Sequence, residues 1–383
     1  MENATSQNGP APATPPGELV RLFIRLGLTA FGGPAAHIAL MQKEVVDKRH
    51  WMDHQHFLDL LGATNLIPGP NSTEMAIHIG RERGGGKGLL IAGACFILPA
   101  VVITGVIAWL YQRYGRLPQV ADLIYGIKPA VIAVIAGAVY PLARRALKNI
   151  QLWLLLVAAF AAGLWWSEGE IAILFGAGVV YSMWRMALRP QGDLRVIVPW
   201  LFLQTPVLTS SNIRIFFSFL KIGAILYGSG YVLFAFLDSE LVAKGLLPRQ
   251  QLVDAIAVGQ FTPGPVFSSV TFIGWQMGGL RGAALATLAV FLPSFVFVAA
   301  MNPLLPLMRR SAFFSTFLDG VNVASVALIG VVCIRFGHDT VTDWRTILIA
   351  IAGFVATFGW RKLNSAWVIL GGAMLGCVLR MAS

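Results

Sequence analysis

Two strings stand out for the chemistry they could support. Asn65-Leu-Ile-Pro-Gly-Pro-Asn-Ser-Thr-Glu74 and Gln260-Phe-Thr-Pro-Gly-Pro-Val-Phe-Ser-Ser269 each sit inside an apolar stretch. Proline removes a backbone donor and clashes with the preceding turn, and glycine relaxes the chain between them. Pro68-Gly69-Pro70 and Pro263-Gly264-Pro265 should therefore each end one helix and begin another. Asn71 or Ser72 could cap the first restarted helix, with Glu74 assisting from its first turn. A helix start exposes unpaired N–H groups and partial positive charge, which suits an oxyanion. A single kink would be explained by packing, whereas a duplicated break points toward a binding site. A second pair of strings holds glycines. Phe31-Gly32-Gly33-Pro34-Ala-Ala-His37 and Gly228-Ser229-Gly230-Tyr231 permit either unwound backbone or close helix approach. Arg25 and Lys221 precede these strings by a few residues and could attract a dianion, although snorkelling to an interface explains them equally well. His37, Glu74, Glu240 and Asp254 are candidates for a coupling proton, because ionisable groups in apolar segments are costly. Pairing with a neighbouring base would explain the acids as readily, and His37 has no histidine opposite it.

The elements that must position these residues are apolar helices. The chain has 383 residues, 56% hydrophobic and 12% charged, with mean hydropathy +0.71. Soluble domains carry about 25% charged residues. Apolar runs are expected over residues 19–40, 57–80, 88–111, 121–142, 150–166 and 170–186, and again over 213–237, 252–277, 282–307, 317–336, 346–360 and 366–381. About 20 apolar residues span the hydrocarbon core as a helix. These runs do not alternate as barrel strands would. The expected fold is all-α, a polytopic membrane protein with two homologous repeats, inverted relative to each other, and broken transmembrane helices. Residues 1–17 read as a disordered tail, 18–190 and 213–383 as the repeats, and 191–212 as a linker.

The halves share their order of motifs. Phe31 falls opposite Tyr227, Gly27 opposite Gly223 and Glu44 opposite Glu240, with the Pro-Gly-Pro strings one residue out of that register. If every run crosses, Arg21, Arg25, Arg81, Arg83, Lys87, Arg144, Arg145 and Lys148 share the side of the N-terminus, with Lys43, Lys48, Arg49, Arg113 and Arg116 opposite. The bias reverses in the second half, where Lys244, Arg249, Arg309 and Arg310 lie beyond the first crossing. Opposite bias argues for inversion. Inversion needs an odd number of crossings between equivalent points, and six runs per half leave one short. Residues 196–203 could supply it, or one run could be re-entrant.

Other chemistries find no foothold. No phosphate-cradling loop is present, and Arg83-Gly84-Gly85-Gly86-Lys87 reads as a loop. No nucleophile elbow, zinc spacing or haem-type cysteine pair appears, so no catalytic residue, metal or cofactor is expected, and no enzymatic activity. Cys95, Cys333 and Cys377 read as packing residues. The formal charge of +11 is assigned mainly to topology rather than to nucleic acid.

Several longer strings resemble the chromate ion transporter family in its two-domain bacterial form. They are Phe31-Gly-Gly-Pro-Ala-Ala-His-Ile38, Leu66-Ile-Pro-Gly-Pro-Asn-Ser-Thr-Glu74, Gly228-Ser-Gly-Tyr-Val-Leu233, Asp254-Ala-Ile-Ala-Val-Gly-Gln-Phe-Thr-Pro-Gly-Pro265 and Phe291-Leu-Pro-Ser-Phe295. The resemblance implies a multi-pass protein of the bacterial inner membrane that exports chromate and confers resistance, driven by the proton motive force. Sulfate is the alternative or competing oxyanion. The implied partners are the anion and the lipid bilayer, with a homo-oligomer left open. The resemblance singles out the two glycine strings and the two Pro-Gly-Pro strings as the site.

Overall fold

The computed structural model describes residues 14–31, 33–115, 118–166, 169–188, 211–227, 230–310, 312–360 and 363–381, and every regular element among them is helical. The first half comprises α1 (Pro16–Thr29), α2 (Pro34–Gln42) continued by a π-helical turn (Lys43–Lys48), α3 (His54–Thr64), α4 (Asn71–Tyr114), α5 (Pro118–Ala146), α6 (Ile150–Trp165) and α7 (Glu170–Leu188). The second repeats the series. It has α8 (Ser211–Ile225), α9 (Leu233–Leu237) with a 3-10 turn before it and a π-helical turn (Asp238–Val242) after it, then α10 (Arg249–Phe261), α11 (Ser269–Arg310), α12 (Ala312–Thr340), α13 (Trp344–Gly359) and α14 (Ser365–Met381).

The two longest helices are hairpins. In α4, Gly84 and Gly85 leave helical geometry, and Gly85 takes φ 59°. A Cβ on Gly80 would strike Gly88 and Ala92, and one on Gly93 would meet Ile77 at 2.7 Å. Residues eight apart in a continuous helix are about 12 Å apart along its axis, so the chain reverses at Gly84–Gly85. The second helix does the same at Gly278–Gly279, where Gly279 takes φ 60°. There Thr271 and Thr287 hydroxyls meet across the limbs at 2.8 Å. Only glycine adopts this backbone without a steric cost. The Arg83–Lys87 loop expected from sequence is this reversal.

Two re-entrant loops precede each long limb. Arg49, after α2, lies 3.6 Å from Glu18 at the start of α1, so α1 and α2 run in opposite directions. His56 at the start of α3 lies 3.6 Å from Glu82 near the end of the first limb of α4, so that pair is antiparallel too. Pro16, Arg49, His56 and Gly84–Gly85 therefore share one end of the molecule, here the proximal face. The Phe31–Gly33 and Pro68–Pro70 tips lie deep inside. The supposition that every run crosses does not hold for 19–40 and 57–80: both return to the face they enter, the re-entrant alternative left open above, and Lys43, Lys48 and Arg49 join Arg83 and Lys87 there. Apolarity alone cannot show this, because a returning hairpin buries the same residue types as a crossing helix.

The second half is upside down relative to the first. Arg81, near the proximal face, donates to the carbonyls of Val298 and Ala299 (2.9 Å to the latter), late in α11. Gln112, far along α4, accepts from Trp275, just before the α11 reversal, at 2.8 Å. Gly278–Gly279 thus lies at the opposite, distal face, with Lys244 and Arg249. The last three helices of each half run face to face. Lys148 meets Asp319 at 2.7 Å proximally, and Arg335 donates to the Gly163 carbonyl at 2.7 Å distally. Counted this way, Leu188 ends at the proximal face and Ser211 begins at the distal one. The suggestion that residues 196–203 supply the odd crossing falls on residues outside the described ones.

Small residues let the backbones approach. Gly27 of α1 faces the Phe96 carbonyl of α4, Gly223 of α8 faces that of Val290, and Gly126 of α5 seats against Gly372 and Gly376 of α14. Such contacts drive association where lipid is as apolar as the side chains. Leu90, Leu98, Val102 and Val106 on α4, with Leu288 and Val296 on α11, are half or more exposed and form lipid-compatible faces. Among the described residues, four helices are long and apolar enough to cross a membrane: 71–114, 122–146, 266–300 and 313–340. In the first and third of these, only the limb after the reversal can make the crossing.

Candidate functional site

The tips of the re-entrant hairpins meet at the boundary between the halves, and they meet reciprocally. The Gly69 N–H donates to the Leu226 carbonyl at 2.7 Å, and the Gly264 N–H donates to the Ala30 carbonyl at 2.8 Å. Ala30 and Leu226 are equivalent positions just before the glycine strings. Each Pro-Gly-Pro tip is thus bonded to the glycine string of the other half. Gly69 (φ 140°) and Gly264 (φ 96°) both hold conformations that side chains resist. Ideal Cβ atoms there would press on Glu74 and Ser294 in one case and on Ala100 in the other.

Two helix starts open beside these bonds. Pro70 is the N-cap of α4 and makes no side-chain cap. The expectation that Asn71 or Ser72 caps it is corrected. Asn71 Nδ2 donates to Asn65 at 2.6 Å, and Ser72 Oγ pairs with His37 Nδ1 at 3.2 Å. The helix starts at Asn71, and Pro70 stands before it as an extended N-cap (ψ 98°) whose side chain has no group to cap with. The Asn71 and Ser72 N–H groups precede the first intrahelical bonds and point out of the helix start. In the second half Pro265 starts a 3-10 turn, Val266–Ser268, leading into α11. Around these starts lie buried Ser72, Thr73, Ser268 and Ser269, and Tyr231, whose hydroxyl would meet a Cβ on Gly33 at 2.9 Å. Thr104 donates to Ser268 at 3.4 Å across the halves.

Glu74 differs from every other buried carboxylate among the described residues. It is 0% exposed, and among the described residues it has no basic partner, only the Ser294 hydroxyl donating to Oε1 at 3.3 Å. Its Oε2 has no hydrogen-bond partner, nor does Nε2 of buried His37. Glu44 and Glu240, by contrast, sit in matching ion clusters at the hairpin bases. Glu44 holds Arg25, Lys48 and Arg49, and Glu240 holds Lys221 at 2.6 Å and Lys244 at 2.5 Å. Burial pushes the Glu44 carboxyl up, but Lys48, Arg49 and Arg25 outweigh it and hold the group at about 2. Glu240 is likewise lowered, with burial opposed by Lys221 and Lys244.

Comparison with known proteins agrees with this duplicated frame. The family model described as chromate transporter matches residues 17–182 and again 213–377. The chain belongs to the chromate transporter family. It is 31% identical over 377 residues to the chromate transport protein of Cupriavidus metallidurans, covering 94% of this chain and 92% of that one. It is 29% identical to the chromate transport protein of Pseudomonas aeruginosa (98% and 94% covered) and 28% identical to a probable chromate transport protein of Synechococcus elongatus (94% and 95%). No solved structure matches.

Within this chromate transporter fold, the sequence-predicted residues divide into two groups. Gly33, Pro68, Gly69, Pro70, Asn71, Ser72, Gly230, Pro263, Gly264, Pro265, His37 and Glu74 gather at the hairpin tips. Arg25, Lys221 and Glu240 lie in the ion clusters of the hairpin bases. Asp254 sits apart, on α10. Gly32, Gly228 and Ser229 lie outside the described residues. Sequence reasoning quoted Tyr231 and Ser294 within motif strings without giving either a contact, and missed the paired carbonyls of Ala30 and Leu226. No spacing signal marks them, because each acts on a residue far away in the chain.

Proposed function

We propose that the chain carries chromate across the bacterial inner membrane, with the anion held between the crossed hairpin tips. The observation that carries this is the reciprocal pair of bonds from Gly69 to Leu226 and from Gly264 to Ala30. They bring two helix starts, each rich in N–H and hydroxyl donors, to the boundary between inverted repeats, where transporters of this architecture bind substrate. A dianion loses much hydration free energy on entering such a site, and convergent donors offset that cost.

Export is the direction favoured by physics. The larger share of Lys and Arg, including Lys43, Lys48, Arg49, Arg83, Lys87, Arg144 and Arg145, lies at the proximal face, which makes that face cytoplasmic. A negative-inside membrane drives a dianion outward by about 2.3 kcal/mol per charge per 100 mV. Glu74 is the proton carrier at the tips, because it is buried beside Gly69 without a basic partner. Coupling to the proton motive force follows if Glu74 loads and unloads as the site opens to each face.

The test is chromate uptake into everted membrane vesicles, with and without an imposed proton gradient and with sulfate as competitor. Energy-dependent accumulation is expected. Chromate movement indifferent to the gradient would reduce the protein to a passive pathway, and sulfate movement without chromate movement would overturn the cargo.

A further inference from the structure

A second polar site lies away from the hairpin tips. A cavity of about 350 Å³ is lined by Tyr111, Tyr125, Lys128, Asp254, Asp339 and Arg380, among others, and reaches the distal face at Gly115 and Thr342. At about 30 Å³ per water it holds about twelve waters, which is room for a hydrated oxyanion. On its wall Lys128 is 8% exposed, the one buried lysine or arginine among the described residues. Its Nζ lies 3.1 Å from Asp254 Oδ1, and the Tyr111 hydroxyl donates to Asp254 Oδ2 at 2.6 Å. The other charged groups of the cavity have partners of their own. Arg380 pairs with Asp122 at 2.6 Å, and Asp339 with Arg249 at 3.4 Å.

The pair is not a product of the duplicated frame. Gly126 of α5 and Gly320 of α12 make equivalent close contacts, which sets Lys128 opposite Asn322. Asp254 does have a counterpart, Asp59 of α3, in the register of the Pro-Gly-Pro strings. The carboxylate is duplicated and the buried cation is not. A neutral residue serves at the same place in the other half, so packing alone does not demand a lysine.

We propose that Lys128 is a second binding site for a tetrahedral oxyanion dianion, and that Asp254 is an internal counter-ion the anion must displace. The proposal rests on the oxyanion reading of the protein and extends it to the distal vestibule. With Lys128 and Asp254 both charged, the site is neutral. A dianion added to it leaves two uncompensated negative charges, and a proton taken by Asp254 from solution leaves one. Anion entry and proton uptake are therefore linked, and Tyr111 remains hydrogen-bonded to the carboxyl in either state. Every group facing Asp254 fits this account. They are Lys128 and Tyr125 from α5, Tyr111 from α4, Arg380 from α14 and Asp339 from α12. The first limb of α11 and the 3-10 turn before it contain no charged residue. Asp238 and Glu240 of the π-helical turn are held by Arg249, Arg335, Lys221 and Lys244.

The experiment is chromate binding to the purified full chain in lipid nanodiscs, by equilibrium dialysis, with proton uptake followed by a pH-sensitive dye. At about pH 8 chromate is itself a dianion, so uptake reports the protein. Wild type should take up protons as the anion binds. Asp254→Asn should bind about tenfold more tightly and lose the share of proton uptake that belongs to the vestibule, and Lys128→Gln should lose the vestibule affinity while a lower-stoichiometry site remains. The double variant Lys128→Gln/Asp254→Asn leaves no buried charge unpaired, and it should match Lys128→Gln in affinity. Unchanged affinity and proton uptake in both single variants, or in the double variant if Lys128→Gln does not fold, would overturn the vestibule site while the tip site stands. Absence of chromate binding to wild type would overturn both.

Discussion

At the residue scale, two glycines carry much of the argument. Gly69 and Gly264 combine positive φ with a neighbour where a side chain would go. A non-glycine residue in such a conformation costs about 1–3 kcal/mol, before any collision. Gly69→Ala is expected to insert normally and lose most chromate transport, because it disturbs the Leu226 bond and presses on Glu74. Gly264→Ala should do the same through Ala30. Vesicle uptake normalised to inserted protein measures this, and wild-type rates in both variants would remove the tips from the mechanism. The contact made by the neighbouring Ser294 was not legible in advance. The serine lies 220 residues from the Glu74 it contacts, and a lone serine in an apolar run carries no distinguishing pattern.

At the element scale, the hairpins are fixed at both ends. The tips are crossed, and the bases are pinned by the Glu44 and Glu240 clusters. The Glu44 carboxyl is lower in the folded protein, at about 2, than its ordinary 4.5. Its contribution to stability is therefore complete above about 4.5 and is lost as pH falls from there toward 2. In hydrogen exchange at acid pH, α1 and α2 should loosen over that window, and Glu44→Gln should remove the pH dependence and loosen them already at neutral pH. An unchanged profile in that variant would show that the cluster does not hold the hairpin. Sequence was a fair guide to these elements where local chemistry decides. The Pro-Gly-Pro breaks and the Gly84–Gly86 turn follow from backbone restrictions at the residues themselves. It failed where the destination of a chain decides. Residues 19–40 are apolar enough to cross and yet return, because the choice is made by Glu18 meeting Arg49 and by Gly27 meeting α4.

At the scale of the whole molecule, the halves share a topology but not a degree of enclosure. Residues 233–237 of α9 and 252–260 of α10 are all buried, whereas in α2 only His37 and Met41 are, and in α3 only Phe57, Leu60, Ala63 and Thr64. Leu58 is 40% exposed while its counterpart Val253 is 1% exposed. Inverted repeats that exchange such environments would open the tips to each face in turn. In everted vesicles a membrane-impermeant maleimide should label Leu58→Cys readily and Val253→Cys hardly at all, and saturating chromate should narrow the difference. Equal labelling without substrate would mean that the asymmetry is not a feature of the protein in its membrane. The crossed tips carry one more implication. Two copies of a motif usually mean that one can fail and the other serve. Here the glycine string of each half is completed only by the Pro-Gly-Pro of the other, so the duplication supplies no redundancy: a lesson learned in either copy is a lesion in both.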